Sequence, residues 1–264
     1  MLRSVSVHLE LEIRGHTNMV FGMTPAVGHE LVGERLDFVV DGMAQDAHEL
    51  ADLHGTRLHS FISESGRMAV DYSVEISGRA KPAPTSELDL ITYLRPSRYA
   101  QSDSLTPFAR SEFGGLSGYV LVQAVSDWVF EHLAYVGGSS SPTDGATRTL
   151  MSRQGVCRDF AHVTIALLRA MEVPARMVAV YAPGLSPMDF HAVVEAHVDG
   201  AWWVLDSTRL APRQTLVRIS TGRDAADTAW LTSNWTDLLV TSMLVTVAAD
   251  ALPYDDGYER VQLG

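Results

Sequence analysis

The residue with the most evident chemistry in this sequence is Cys157, the only cysteine among 264 residues. An apolar stripe that includes Phe160, Val163 and Leu167 predicts a helix over residues 158–171. Cys157 then lies in the first helical turn, where the helix dipole and free N–H groups stabilise a thiolate. Its own N–H is placed to donate to a developing oxyanion. A lone cysteine is also commonly a buried packing residue or a metal ligand, so its partners decide its role.

A tight hairpin supplies two such partners. The Asp-Gly pair at 199–200, between two strand-like runs, predicts a two-residue turn and a register in which Glu195 faces Val204. In this register His191 lies diagonal to Asp206 on the same face, with their Cβ atoms about 7 Å apart or less. A carboxylate that orients an imidazole beside a thiol is the arrangement of a nucleophile–base–orienter triad.

Four motifs follow one another in the order and spacing of a known family. They are Gly-Val-Cys-Arg-Asp-Phe-Ala-His (155–162), Val-Pro-Ala-Arg (173–176), Phe-His-Ala (190–192) followed by Glu195, and Trp-Val-Leu-Asp-Ser-Thr (203–208). Together they resemble the transglutaminase-like superfamily, and more narrowly its bacterial cysteine-protease-like branch. The resemblance is close over residues 115–212, and the β-rich region before it resembles the β-sandwich that accompanies this domain in bacteria.

The resemblance implies an α+β fold, in which an N-terminal antiparallel β-sandwich is followed by a papain-like, transglutaminase-core α+β domain. It implies Cys157 as nucleophile, His191 as base and Asp206 as the residue that orients the base. By the same analogy Tyr135 assists the oxyanion, and the alternative is that it only packs the domain. Two departures stand out: Val193 replaces the usual aromatic after His-Ala, and Ser207 replaces the usual proline after the aspartate.

Two further polar residues are candidates for supporting roles. His162 is expected to be structural and to bind a backbone carbonyl, with support of the active site as the alternative. Glu195, on the strand of the predicted base, is either a structural hydrogen-bonding group or a residue that tunes the site. A zinc site made by Cys157, His162 and His191 matches no common ligand spacing, so no metal and no cofactor are expected.

The pattern of the chain divides it into two predicted domains, 1–95 and 96–264. Alternation of apolar and polar residues from Val5 to Ile13 and from Val70 to Ile76 predicts strands of a sandwich. Residues 81–86 contain two prolines and are the predicted linker. Beyond the hairpin, Met243, Val245 and Val247 indicate a late strand, and the acidic segment after Tyr254 is expected to be peripheral.

Composition limits the partners. The net charge is −12, which disfavours nucleic acid and anionic membrane surfaces. No run of about 18 apolar residues indicates a membrane span, and the chain opens on a strand pattern without a signal-peptide pattern. A cytoplasmic protein is therefore expected, and its oligomeric state is not predicted.

The predicted function is that of a thiol acyl-transfer enzyme acting on a peptide or carboxamide through a thioester. Water as acceptor would make it a cysteine peptidase or amidase, and this is favoured because no Asp-x-Asp-x-Asp-Gly calcium site is present. An amine as acceptor would make it a transglutaminase, although the chain has one lysine, Lys81, for self-cross-linking. The third alternative is a peptide-binding or assembly module with a relict triad.

Overall fold

Two antiparallel sheets form the N-terminal half of the protein. A computed structural model describes residues 1–82 and 84–264. The first seven strands are β1 (Leu2–Ile13), β2 (Thr17–Phe21), β3 (Glu30–Val40), β4 (Met43–Gln45), β5 (His48–Ala51), β6 (Arg57–Ser63) and β7 (Gly66–Ser77). Buried and exposed residues alternate along nearly all of β1, as its sequence predicts, because successive side chains point to opposite faces of a sheet.

Six helices and eight further strands follow in the described chain, and four of these strands form a third sheet. The helices are α1 (Glu87–Thr92), α2 (Ser102–Phe113), α3 (Gly118–His132), α4 (Ala146–Ser152), α5 (Cys157–Ala170) and α6 (Ala225–Thr228). The strands are β8 (Ala134–Tyr135), β9 (Gln154–Gly155), β10 (Ala175–Tyr181), β11 (His191–Val198), β12 (Ala201–Leu205), β13 (Val217–Gly222), β14 (Leu231–Asn234) and β15 (Leu238–Ala249). The third sheet has the order β12-β11-β10-β13 and all its pairs are antiparallel.

Helix α5 is the central element of this half and lies almost entirely in the core. Its buried side chains pack with those of α2 and α3 on one side and with one face of the third sheet on the other. Val194, Ala196 and Leu205 belong to that sheet face. Because α5 begins at Cys157, this packing fixes the position of the thiol relative to β11 and β12. The fold is the predicted one, a β-sandwich joined to an α+β domain.

The predicted division into 1–95 and 96–264 is wrong for the strands near the C-terminal end. Strand β15 pairs with β1, with Val5 opposite Val247 and Val7 opposite Val245, and β14 pairs with β2. The sandwich sheets therefore have the orders β15-β1-β7-β3-β4 and β14-β2-β6-β5. Burial of the apolar face of β15 against the sandwich core favours this pairing, which sequence position cannot reveal.

The acidic segment after Tyr254 is not peripheral, contrary to the sequence-based expectation. Asp255 makes two hydrogen bonds of 2.8 Å to the guanidinium of Arg213. The backbone N–H of Val204 donates to the carbonyl of Val261 at 2.8 Å, and Val261 is buried among the strands of the third sheet. This segment therefore covers the exposed edge of β12, which would otherwise leave backbone groups unpaired.

Two remaining features concern the predicted linker and membrane spans. The linker prediction at 81–86 includes residue 83, which lies outside the described residues. Among the residues that are described, none of the helices has both the length and the apolar character needed to cross a membrane.

Candidate active site

Cys157 is the first residue of α5 and is half-buried. The start of this helix is fixed by Asp159, whose buried carboxylate accepts a hydrogen bond of 2.8 Å from the backbone N–H of Val156. Gly155 is required just before it, because a Cβ there would lie 2.6 Å from the Cβ of Asp159. Asp159 thus stabilises the first turn of the helix, and the thiol stands at the positive end of the helix dipole.

The β11–β12 hairpin has the predicted register. Asp199 and Gly200 both have positive φ, 55° and 79°, as a two-residue turn of this kind requires. Glu195 faces Val204, and beyond the last paired residues the Nε2 atom of His191 lies 2.8 Å from Oδ2 of Asp206. The short turn alone thus brings an imidazole and a carboxylate into contact at the open end of the hairpin.

The environment of His191 favours its charged form. Burial alone lowers the pKa of this imidazole, but the charge of Asp206 and its hydrogen bond, followed by the Cys157 thiol, raise the pKa to about 10. Burial raises the pKa of Asp206, yet His191 and then Thr208 lower it below its ordinary value. Asp206 therefore stays ionised, and His191 holds a proton at neutral pH.

The two ring nitrogens of His191 differ in their surroundings. Nε2 is taken by Asp206, and Nδ1 is buried without a hydrogen-bond partner in the part of the chain that is described. Nδ1 is therefore the nitrogen that is free of Asp206, and the nearby Cys157 thiol adds to the raised pKa of the ring. The contact that the structure shows directly is the one between His191 and Asp206.

Tyr135 is placed beside the thiol by a short parallel pair of strands, in which it lies opposite Gly155. Burial, and then the charge of Cys157, raise the pKa of Tyr135 to about 12, while the backbone N–H of Cys157 lowers it. The phenol thus keeps its proton next to the sulfur and to the N–H of Cys157. Its ring also packs against Phe160 at 5.9 Å, so both predicted roles are geometrically open.

His162 is structural in its contacts, but not in the predicted way. It is fully buried, stacks on Tyr99 at 5.3 Å and accepts a hydrogen bond of 3.2 Å from the backbone N–H of Ala225. The expectation of a backbone carbonyl partner is therefore wrong. Because burial lowers the pKa of His162 to about 3, the ring is neutral and its Nε2 serves as an acceptor.

Glu195 joins two arginines rather than the triad. Its carboxylate accepts hydrogen bonds of 2.8 Å from Arg176 and of 2.6 and 3.1 Å from Arg218, all in the interior of the protein. Burial alone raises the pKa of Glu195, but the two guanidinium groups lower it to about 2. Of the two predicted roles, these contacts match the structural one.

Two contributions to the site were not foreseen from the sequence. Oδ1 of Asp206 accepts hydrogen bonds from the backbone N–H of Thr208 at 2.9 Å and from its hydroxyl at 2.6 Å, and the Asp-Ser-Thr order was a usable signal for this turn. Asp189 places a second carboxylate near His191. Burial raises the pKa of Asp189 above its ordinary value, although the Phe190 N–H and the charge of His191 act in the opposite direction. Nothing in the sequence pattern pointed to Asp189.

This arrangement can hold a thiolate beside an imidazolium that is oriented by a carboxylate, with N–H and O–H donors close to the sulfur. These are the components of acyl transfer through a covalent thioester. In the described part of the chain, no three His, Cys, Asp or Glu side chains are grouped so as to hold a metal ion.

Comparisons with known proteins agree with this architecture. Residues 111–207 match the family model described as the transglutaminase-like superfamily. A crystal structure of a protein from Cytophaga hutchinsonii, described only as a candidate cysteine protease, is 32% identical with a TM-score of 0.89. The alignment covers 98% of this chain and 95% of that one.

Curated relatives are similar over shorter stretches. An uncharacterized protein of Mycobacterium leprae is 31% identical over 121 residues, which is 41% of this chain and 42% of the relative. An uncharacterized protein of Mycobacterium tuberculosis is 26% identical over 176 residues, which is 58% of this chain and 54% of the relative. The chain thus spans about half the length of the curated relatives it matches.

Proposed function

This chain belongs to the transglutaminase-like superfamily, and on that premise we propose that it is a thiol acyl-transfer enzyme that hydrolyses a peptide or carboxamide bond. The observation that carries the proposal is the 2.8 Å contact between Nε2 of His191 and Oδ2 of Asp206, and the Cys157 thiol is close enough to raise the pKa of the same imidazole. A charged imidazole held in this way stabilises a thiolate and later delivers a proton to a leaving amine.

The proposed reaction has two balanced steps. The Cys157 thiolate attacks the carbonyl carbon, the C–N bond breaks, and the amine leaves with the proton from His191, which gives a thioester. Neutral His191 then takes a proton from water, the resulting hydroxide attacks the thioester, and the acid leaves as the thiolate forms again. Asp206 keeps the imidazole oriented in both steps and stabilises its charged form.

Hydrolysis is favoured over transfer to an amine on two grounds. The similar Cytophaga protein is described as a candidate cysteine protease, and no calcium-loop motif of the Asp-x-Asp-x-Asp-Gly kind occurs in the sequence. The triad itself does not discriminate, since both reactions pass through the same thioester. The proposed partner is accordingly a peptide or protein substrate, with transfer to an amine as the competing outcome.

The test is incubation with a glutamine-containing peptide library, with and without a primary amine, followed by mass spectrometry. The proposal expects cleaved or deamidated products in both samples. Amine adducts that dominate over hydrolysis would establish transglutaminase activity instead. Tight peptide binding without any product, from wild-type protein whose Cys157 is chemically intact, would support the module with a relict triad.

A prediction concerns Tyr135, for which assistance to the oxyanion is proposed. Replacing it by phenylalanine is expected to lower kcat by about 10²-fold with KM little changed, because one oxyanion donor is typically worth that much. Steady-state kinetics on a substrate found in the library checks this. Tyr254→Phe is the control, since Tyr254 is 90% exposed. If both variants keep the wild-type kcat, Tyr135 only packs against Phe160.

A further inference from the structure

Three buried hydroxyl groups meet behind the proposed active site. They belong to Ser126 on α3, Thr164 on α5 and Ser207 in the turn after β12. The Oγ of Ser207 lies 2.9 Å from Oγ1 of Thr164 and 3.2 Å from Oγ of Ser126. All three residues are at most 5% exposed, so these groups depend on one another for hydrogen bonds.

The direction of these hydrogen bonds follows from counting protons. Thr164 donates its single hydroxyl proton to the carbonyl of Phe160, which can only accept, at 2.9 Å. Thr164 must therefore accept from Ser207, whose proton is then used. Ser126 in turn has to donate to Ser207. The hydrogen bonds thus run from Ser126 through Ser207 and Thr164 to the backbone carbonyl of Phe160 in α5.

This chain of hydroxyl groups joins the turn that follows β12, beside Asp206, to α5, which begins at Cys157. Ser207 follows Asp206 directly in sequence. Thr164 lies about two helical turns from Cys157, on the same helix. Thr208 shapes the turn around Asp206 only locally, and Arg209 ties the turn to Asp127 on α3. Next to the apolar packing of Leu205, the hydrogen bond between Ser207 and Thr164 joins this turn directly to the helix that begins at Cys157.

We propose that Ser207 and Thr164 are positioning residues, which hold Asp206, and through it His191, at the correct place relative to Cys157. This inference rests on the proposed function. Both side chains lie outside the proposed triad and set its geometry. Ser126 stabilises the same hydroxyl chain but belongs to an element that carries none of the triad residues.

The experiment uses the single cysteine as its own reporter, so it needs no substrate. The rate of Cys157 alkylation by iodoacetamide at pH 6 is measured for wild type and for the variants. Ser207→Ala and Thr164→Val are expected to slow alkylation by about 10-fold, because a small displacement of reacting groups has effects of this order or larger. Thr164→Ser keeps the hydroxyl and is expected to react at the wild-type rate.

Ser126→Ala is the matched control, since it removes a hydroxyl of equal burial from the same chain. It is expected to lose comparable thermal stability but to keep the wild-type alkylation rate. Equal rates in all variants, or equal slowing in Ser126→Ala and Ser207→Ala, would overturn the inference and leave a packing role. If Ser207→Ala does not fold, the comparison of Thr164→Val with Thr164→Ser decides.

His191→Ala separates this inference from the proposed function. It is expected to alkylate more slowly than every other variant, because it removes the charged partner of the thiolate. If it reacts as fast as wild type, the proposed Cys157–His191 pair fails, and the positioning role fails with it. If it is slow while Ser207→Ala and Thr164→Val match wild type, only the positioning role is wrong.

Discussion

Replacing Cys157 by alanine is expected to lower kcat/KM by about 10⁴-fold or more on any substrate the protein turns over. Without the sulfur no thioester can form, and loss of the nucleophile in a triad has effects of this size or larger. The measurement is steady-state hydrolysis followed by mass spectrometry. Because Cys157 is only half-buried, the free energy of unfolding should remain within about 1 kcal/mol of wild type.

The single cysteine provides a control for this prediction. Wild-type protein alkylated to completion carries its modification on Cys157, since the sequence contains one cysteine. It should therefore lose activity to the same extent as Cys157→Ala. Residual activity near the wild-type level in either preparation would show that the reaction uses another group.

The largest expected effect on stability comes from Glu195→Gln, at about 3–5 kcal/mol of unfolding free energy. Its carboxylate is bound by the guanidinium groups of Arg176 and Arg218, and all three side chains are buried. A neutral amide would leave two buried positive charges without compensation. Chemical denaturation with urea measures the change, provided that the dependence on urea concentration stays the same.

The pH dependence of this contribution has a definite sign. Burial alone raises the pKa of Glu195, but Arg218 and Arg176 lower it to about 2 in the folded protein, against an ordinary value of 4.5. The unfolded chain thus takes up the proton first as pH falls. The stabilisation is complete above pH 4.5 and is lost progressively as pH falls from there toward 2. The difference in the free energy of unfolding between wild type and Glu195→Gln should therefore become smaller as pH falls from 4.5 toward 2.

An exposed pair serves as the matched control. Arg35 and Asp37 are in contact, with side chains 76% and 40% exposed. Asp37→Asn is expected to change the free energy of unfolding by less than about 1 kcal/mol, because water screens such pairs. A loss below about 1 kcal/mol for Glu195→Gln as well would contradict the structural role assigned to the buried carboxylate.

The parts of the site that the sequence predicted are those determined by local geometry. A two-residue turn fixes the register of the strands on both sides of it, and this register places His191 within reach of Asp206. The position of Cys157 at a helix start likewise follows from the apolar period of a single segment. The family resemblance indicates the proposed roles of these residues, and the order of its motifs indicates the fold.

The parts that the sequence did not predict depend on contacts between distant segments. Nothing near Glu195 indicates that Arg218, 23 residues later, completes its surroundings. The partner of His162 is a backbone group at Ala225, 63 residues away. Alternation from Met243 to Val247 predicts the late strand, but it does not say which sheet that strand joins. Side-chain pairing across the fold is what a single sequence leaves undetermined.

We expect Cys157 to form a thioester with the acyl group of its substrate. The most direct measurement is the intact mass of the protein after brief incubation with a p-nitrophenyl ester and quenching in acid, followed by mapping of the modified peptide. We predict one acyl group on Cys157 in wild type, removable by hydroxylamine, and far less of it in His191→Ala. Absence of an adduct on a thiol that iodoacetamide still modifies would rule out the thioester, and an equal adduct in His191→Ala would rule out the proposed role of His191.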